Sequence, residues 1–87
     1  MKQFKLIVST PKGNAYSSAD VNMLSLYGSE GSLAIMANHI PFVTATKGGE
    51  VKIYTEDDEI TATSDEGILT VTKDSVTLLV GKFERNS

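Results

Sequence analysis

The chain has 87 residues, of which 40 % are apolar and 22 % are charged, a composition that fits one globular domain. It contains no cysteine, which excludes disulfides and thiolate metal ligands. The net charge is −3 and the eight basic residues are scattered, whereas nucleic-acid binding requires a basic stripe. We therefore expect no nucleic-acid partner. We also expect no direct membrane insertion, because no apolar run approaches the length of a membrane span.

In the first half of the chain, apolar and polar residues alternate with the period of a strand. Residues 10–14 are rich in turn-forming types, and the mixed run 19–26 is typical of a strand covered on both sides. A kinked crossing is expected before Pro41, because the residue preceding a proline favours extended backbone. The predicted strands cover residues 3–9, 15–18, 19–26, 33–36 and 42–46.

The second half continues as short runs rich in Val, Ile, Leu and Thr, separated by turn residues. The acidic run Glu56–Glu59 is predicted to be the tip of a hairpin. Apolar residues nowhere recur at helical spacing, so we predict an all-β sandwich or barrel in a single domain, 1–87. The predicted strands here cover residues 51–54, 60–63, 68–72 and 76–80.

Few residues are suited to chemistry. His39 is the only histidine, and no serine has the sequence context of a nucleophile. The carboxylates of Glu56–Glu59 occupy a solvated tip without the spacing of a calcium loop. Gly28–Gly31 precedes a strand, whereas a phosphate-binding loop precedes a helix. We expect no catalytic residue, no metal and no cofactor; His39 either bonds to nearby backbone or contacts a partner.

Two motifs in the same register resemble a known family. Gly28–Ile35 (GSEGSLAI) and Asn38–Ala45 (NHIPFVTA) are similar to the epsilon subunit of F-type ATP synthases. The start of the chain (FKLIVSTPKG) and residues 67–71 also fit, so the resemblance covers nearly the whole chain. Ala34 and Lys47 are among the residues that differ from the family pattern.

The resemblance implies the N-terminal domain of that subunit, a β-sandwich of about ten strands, without the C-terminal helical hairpin that follows it in the family. It implies a non-catalytic rotor subunit of the central stalk, which links the gamma subunit to the membrane c-ring in proton-driven ATP synthesis. Such a subunit is peripheral, at the cytoplasmic face of the cell inner membrane. The implied c-ring contacts are Ser29, Glu30, Gly31 and Ser32, and the implied gamma contacts are Thr10, His39 and Thr44.

Tyr27, Met36 and Phe42 are candidate apolar anchors near this loop. Exposed strand edges and an apolar patch favour a weak homodimer of the isolated domain. A second interpretation is a free-standing β-sandwich module that binds a peptide or a carbohydrate. The absence of tryptophan argues against the aromatic platform that such modules display. A third interpretation, a small enzyme, would depend on His39.

Overall fold

The computed structural model describes residues 2–37 and 40–86. These residues form nine strands and no helix, which confirms the predicted all-β fold. The strands are β1 (Phe4–Thr10), β2 (Gly13–Gly28), β3 (Gly31–Met36), β4 (Phe42–Thr46), β5 (Gly49–Thr55), β6 (Glu59–Ser64), β7 (Gly67–Val71), β8 (Ser75–Val80) and β9 (Phe83–Arg85).

The strands pack as two layers that share β2. The first layer has the order β4, β7, β8, β1 and the N-terminal part of β2. The second layer has the order β3, the C-terminal part of β2, β5, β6 and β9. Neighbouring strands are antiparallel apart from β1 and β8, which are parallel. One pair, Gly28 opposite Thr46, joins β2 to β4 and closes the sandwich at a corner.

β2 bends in order to serve both layers. Fully extended, its 16 residues would span about 53 Å, whereas the largest dimension of the molecule is 30 Å. The bend occurs around Val21, which pairs with Phe4 of the first layer and Thr55 of the second. The register shifts on both sides of Val21, and such bulges allow a strand to turn a corner without ending.

Two sequence predictions need correction here. The strands predicted over 15–18 and 19–26 are one continuous strand, because the bulges carry β2 around the corner at which a break was expected. The prediction also lacked β9, whose three residues are too few to show an alternating pattern. These two corrections offset each other in number, so the described residues contain nine strands, as many as the sequence pattern predicted, whereas the resemblance implied about ten.

A single apolar core lies between the layers. In β1, Phe4, Leu6 and Val8 are buried and the intervening residues are not, as the alternating pattern predicted. Thr46 and Ser64 are the buried polar residues in the described part of the chain. The core contains Phe4, Leu6, Val8, Val21, Leu24, Leu26, Ile35, Val51, Ile53, Ile60, Leu69, Val71, Val76, Leu78 and Val80.

Several turns lie side by side along one edge of the sandwich, which we call the turn edge. The backbone N–H of Lys47 donates to the carbonyl oxygen of Tyr27 at 2.9 Å. The carboxylate of Asp65 accepts hydrogen bonds from the backbone N–H groups of Gly81, at 2.8 Å, and Lys82, at 2.9 Å. The turn edge comprises residues 11–12, 29–30, 47–48, 65–66 and 81–82.

Candidate docking surfaces

The hairpin between β2 and β3 contains the four residues that the resemblance assigns to the c-ring. Gly28 pairs with Gly31, which leaves Ser29 and Glu30 at the tip. Gly31 has a φ of 127°, a conformation that side-chain-bearing residues rarely adopt, so the tight turn depends on glycine there. The N–H of Ser29 donates to the carbonyl oxygen of Ala45 at 3.2 Å, which ties the hairpin to β4. All of residues 29–32 are exposed.

Thr44, which the resemblance assigns to gamma, lies against this hairpin. A small cleft of about 100 Å³ is lined by residues 28–33 together with Thr44. Thr44 is half-buried, and its hydroxyl donates to the carbonyl oxygen of Ala45 at 3.3 Å. The positions assigned to two different partners are therefore neighbours at the edge of β4.

Thr10 lies on the other side of the first layer, with β7 and β8 between its strand and β4. The Thr10 hydroxyl donates to the carbonyl oxygen of Gly13 at 3.0 Å and accepts a hydrogen bond from the N–H of Lys12 at 3.2 Å. These bonds stabilise the turn between β1 and β2. Thr10 and Thr44 are thus not clustered, because two strands, β7 and β8, separate β1 from β4. His39 lies outside the described residues.

The outer surface of the first layer is apolar, and we call it the apolar face. Leu79 lies opposite Ile68, and Ile68 lies opposite Ala45. Leu79, Ile68 and the nearby Val43 are 54 %, 51 % and 67 % exposed, although they are large and apolar. Among the outward positions of β1, β4, β7 and β8, the only charged residue is Lys5. The apolar face comprises Ile7, Val43, Ala45, Ile68 and Leu79, with Thr70 and Thr77 between them.

The outer surface of the second layer is different, because charged residues run across it. Lys52 Nζ lies 3.9 Å from a carboxylate oxygen of Glu50 and 4.0 Å from one of Glu59. Tyr27 and Met36, two of the three candidate anchors, lie on this surface. The third, Phe42, is half-buried and packs against the core. The three side chains therefore do not form one docking surface.

A larger cleft of about 470 Å³ opens where the apolar face meets the turn edge. Of the residues that line it, only Thr10 is a contact residue predicted from the sequence. The other residues come from β1, the β6–β7 turn, and the adjoining ends of β7 and β8, and no sequence motif joins these segments. The lining consists of Ser9, Thr10, Pro11, Glu66, Gly67, Ile68, Leu79, Val80 and Gly81.

The described residues form no group of three or more His, Asp or Glu that is able to hold a metal ion. At the acidic tip, Glu56 accepts a hydrogen bond from the side-chain amide of Gln3 at 2.9 Å. The part of the chain that the structure describes has no helix long and apolar enough to cross a membrane.

Comparison with known sequences identifies relatives. Residues 3–86 match the family described as "ATP synthase, Delta/Epsilon chain, beta-sandwich domain". The ATP synthase epsilon chains of Staphylococcus aureus strains JH9 and Newman are each 36 % identical to the chain over 85 residues, covering 97 % of it. The chain spans 63 % of the length of these relatives.

Solved structures share the fold at low sequence identity. A chain of the Euglena gracilis mitochondrial ATP synthase OSCP/F1/c-ring structure aligns with a TM-score of 0.89 and 15 % identity, covering 95 % of this chain and 53 % of that one. A chain of the Tetrahymena thermophila mitochondrial ATP synthase central stalk/c-ring structure gives 0.80 and 15 %, covering 94 % and 66 %. Together with the family match over residues 3–86, which confirms the resemblance seen in the sequence, this shows that the chain belongs to the family of ATP synthase delta/epsilon-chain β-sandwich domains.

Proposed function

We propose that this domain is a non-catalytic rotor component of an F-type ATP synthase, which links the gamma subunit to the c-ring in the central stalk. In this role it is a peripheral component at the cytoplasmic face of the inner membrane and takes part in proton-driven ATP synthesis. Family membership supports the assignment to the complex. The observation that carries the linking role is that an exposed apolar face and an exposed polar hairpin lie at different places on the sandwich and are connected through β4.

The apolar face is the proposed site for gamma. Val43, Ile68 and Leu79 are each more than half exposed, and a contiguous exposed apolar patch is characteristic of an interaction site. Burying such side chains stabilises a complex by roughly 25 cal/mol for each Å² of apolar area removed from water. Thr10 lines the cleft at the end of this face, which is consistent with the gamma contact that the resemblance implies for it. Thr44 is half-buried between the exposed Val43 and Ala45, so its side chain lies on the other side of β4, and its contact with gamma stays a prediction from the sequence. The contact proposed for His39 stays a prediction from the sequence.

The β2–β3 hairpin is the proposed contact with the c-ring. Residues 29–32 are exposed and polar or lack side chains, and Glu30 offers a carboxylate to basic groups on the ring loops. An exposed ion pair contributes only about 0 to 1 kcal/mol, so the hairpin supplies a weak contact and the apolar face a strong one. Because the hairpin is tied to β4, a force applied at its tip reaches the apolar face through backbone hydrogen bonds.

Binding of the chain to purified gamma subunit tests this assignment. Val43→Arg places a charge on the apolar face and should weaken the affinity by about 100-fold or more. Thr63→Arg adds the same charge to an exposed position of β6 in the second layer and should change the affinity less than about threefold. Glu30→Lys should leave gamma binding intact and loosen attachment to the c-ring. If the wild-type chain does not bind gamma, the proposal fails and the peptide- or carbohydrate-binding module takes its place.

A further inference from the structure

Two of the residues that line the cleft at the end of the apolar face are glycines packed closely against neighbouring atoms. A Cβ atom on Gly67 would overlap the carbonyl oxygen of Leu79 and lie 2.8 Å from a methyl carbon of Val80. A Cβ atom on Gly81 would lie 2.6 Å from a carboxylate oxygen of Asp65. Glycine is therefore required at Gly67 for packing reasons, whereas a side chain at Gly81 would displace the carboxylate of Asp65.

The rim of the cleft is held in place by local hydrogen bonds. On one side, the carboxylate of Asp65 binds the backbone N–H groups of Gly81 and Lys82. On the other side, the hydroxyl of Thr10 bonds to the carbonyl oxygen of Gly13 and fixes the turn that carries Pro11. A cleft with a fixed rim binds without the entropic cost of ordering its own walls.

The lining has one charged group in an otherwise mostly apolar surface. Ile68 and Leu79 continue the apolar face into the cleft, and Pro11 adds to the apolar lining. Glu66 is exposed at this site, and its carboxylate accepts no hydrogen bond from the residues that the structure describes. The cleft therefore suits a side chain with an apolar body and a hydrogen-bond donor near its tip.

We propose that this cleft is the anchor pocket of the gamma interface and accommodates one tyrosine, tryptophan or arginine side chain of gamma, whose donor binds Glu66. The inference rests on the proposed function and specifies the chemistry of the partner group. These three residue types combine an apolar body with a donor, and they dominate the binding energy of protein interfaces. A single filled pocket within a broad face is the usual arrangement of such an anchor.

Calorimetric titration of purified gamma with variants of the full chain tests the pocket. Leu79→Ala removes apolar lining and should raise the Kd at least about tenfold, and Glu66→Ala should raise it about three- to tenfold. Val43→Ala, on the apolar face but outside the cleft, and Glu84→Ala, an exposed acid of β9, are matched controls. Val43→Ala, as a comparison within the same face, should raise the Kd less than Leu79→Ala does, and Glu84→Ala should change the Kd less than about threefold. Urea unfolding of each variant establishes that the fold is retained.

A double-mutant cycle identifies the occupant. Each surface tyrosine, tryptophan and arginine of gamma is changed to alanine and titrated against wild-type chain and Glu66→Ala. For one gamma residue, the alanine substitution should weaken binding to the wild-type chain but should have little effect on binding to the Glu66→Ala chain. If Leu79→Ala weakens binding no more than Val43→Ala, or if no gamma residue couples to Glu66, the proposal of an anchor pocket is wrong. The proposal that the domain binds gamma would then still stand. If wild-type chain does not bind gamma, both proposals are wrong.

Discussion

At the scale of single residues, Thr46 carries a polar group that costs stability. It lies at the corner where β4 meets β2, is 5 % exposed, and its hydroxyl oxygen has no hydrogen-bond partner. Thr46→Val replaces this hydroxyl with a methyl group and should raise the free energy of unfolding by about 1 kcal/mol. Urea denaturation measures the change. Thr44→Val, in the same strand, removes a hydroxyl that makes a hydrogen bond and should not raise the free energy of unfolding.

Gly67 is fixed by the backbone of the neighbouring strand. Because any Cβ there would overlap the carbonyl oxygen of Leu79, Gly67→Ala must separate β7 from β8 and should cost about 3 kcal/mol of stability. Gly13→Ala is the informative comparison, because Gly13 has a φ of 117° but open space around it. The free energy of unfolding of that variant should fall by about 1 to 2 kcal/mol, from backbone strain alone. Equal losses in the two variants would contradict the packing explanation.

At the scale of elements, Asp65 joins the β6–β7 turn to the β8–β9 turn. Its carboxylate accepts two backbone hydrogen bonds, from Gly81 and Lys82, and charge-assisted bonds are stronger than neutral ones. Asp65→Ala should therefore lower the free energy of unfolding by about 1.5 kcal/mol. Glu66→Ala removes the adjacent exposed acid and should be nearly neutral. A similar loss in both variants in urea denaturation would mean that the carboxylate of Asp65 has no special structural role.

The strands also show where an alternating sequence pattern is enough to predict the structure. β1, β5, β6 and β8 alternate along most of their length, and their positions were predicted within a few residues. β2 was divided in two because its apolar pattern changes where the strand passes from one layer to the other. A change of layer and a turn look alike in a sequence, since both interrupt the alternation. Only the pairing of Val21 with strands of both layers distinguishes them.

At the scale of the whole molecule, the two outer surfaces predict how the free domain associates. At high protein concentration the chain should form a weak dimer through the apolar face, because that face remains in water until gamma covers it. Sedimentation velocity measures the dimer, and Val43→Arg should abolish it while Thr63→Arg should not. Sodium sulfate should strengthen apolar association, whereas ion pairing would weaken with salt. Dimerisation that persists in Val43→Arg would assign the contact to another surface.

Only part of the candidate site was predictable. The hairpin residues Ser29–Ser32 were located by a contiguous motif, and the structure gives them the expected exposure. An exposed apolar patch was expected, but its residues were not identified, because they come from strands whose neighbours and register cannot be deduced from the sequence. Tyr27, Met36 and Phe42 were grouped as anchors by closeness along the chain, but strand parity directs Phe42 inward and Tyr27 outward.

The parallel pairing of β1 with β8 determines when the domain is able to fold during synthesis. Lys5 to Ser9 lie opposite Ser75 to Leu79, so β1 must wait for β8, which is made much later in synthesis. β1 also pairs with β2, but that hairpin alone cannot bury Phe4, Leu6 and Val8. Such non-local pairing delays folding and leaves apolar strands exposed in the nascent chain. We therefore expect the growing polypeptide to be a chaperone client until β8 has left the ribosome.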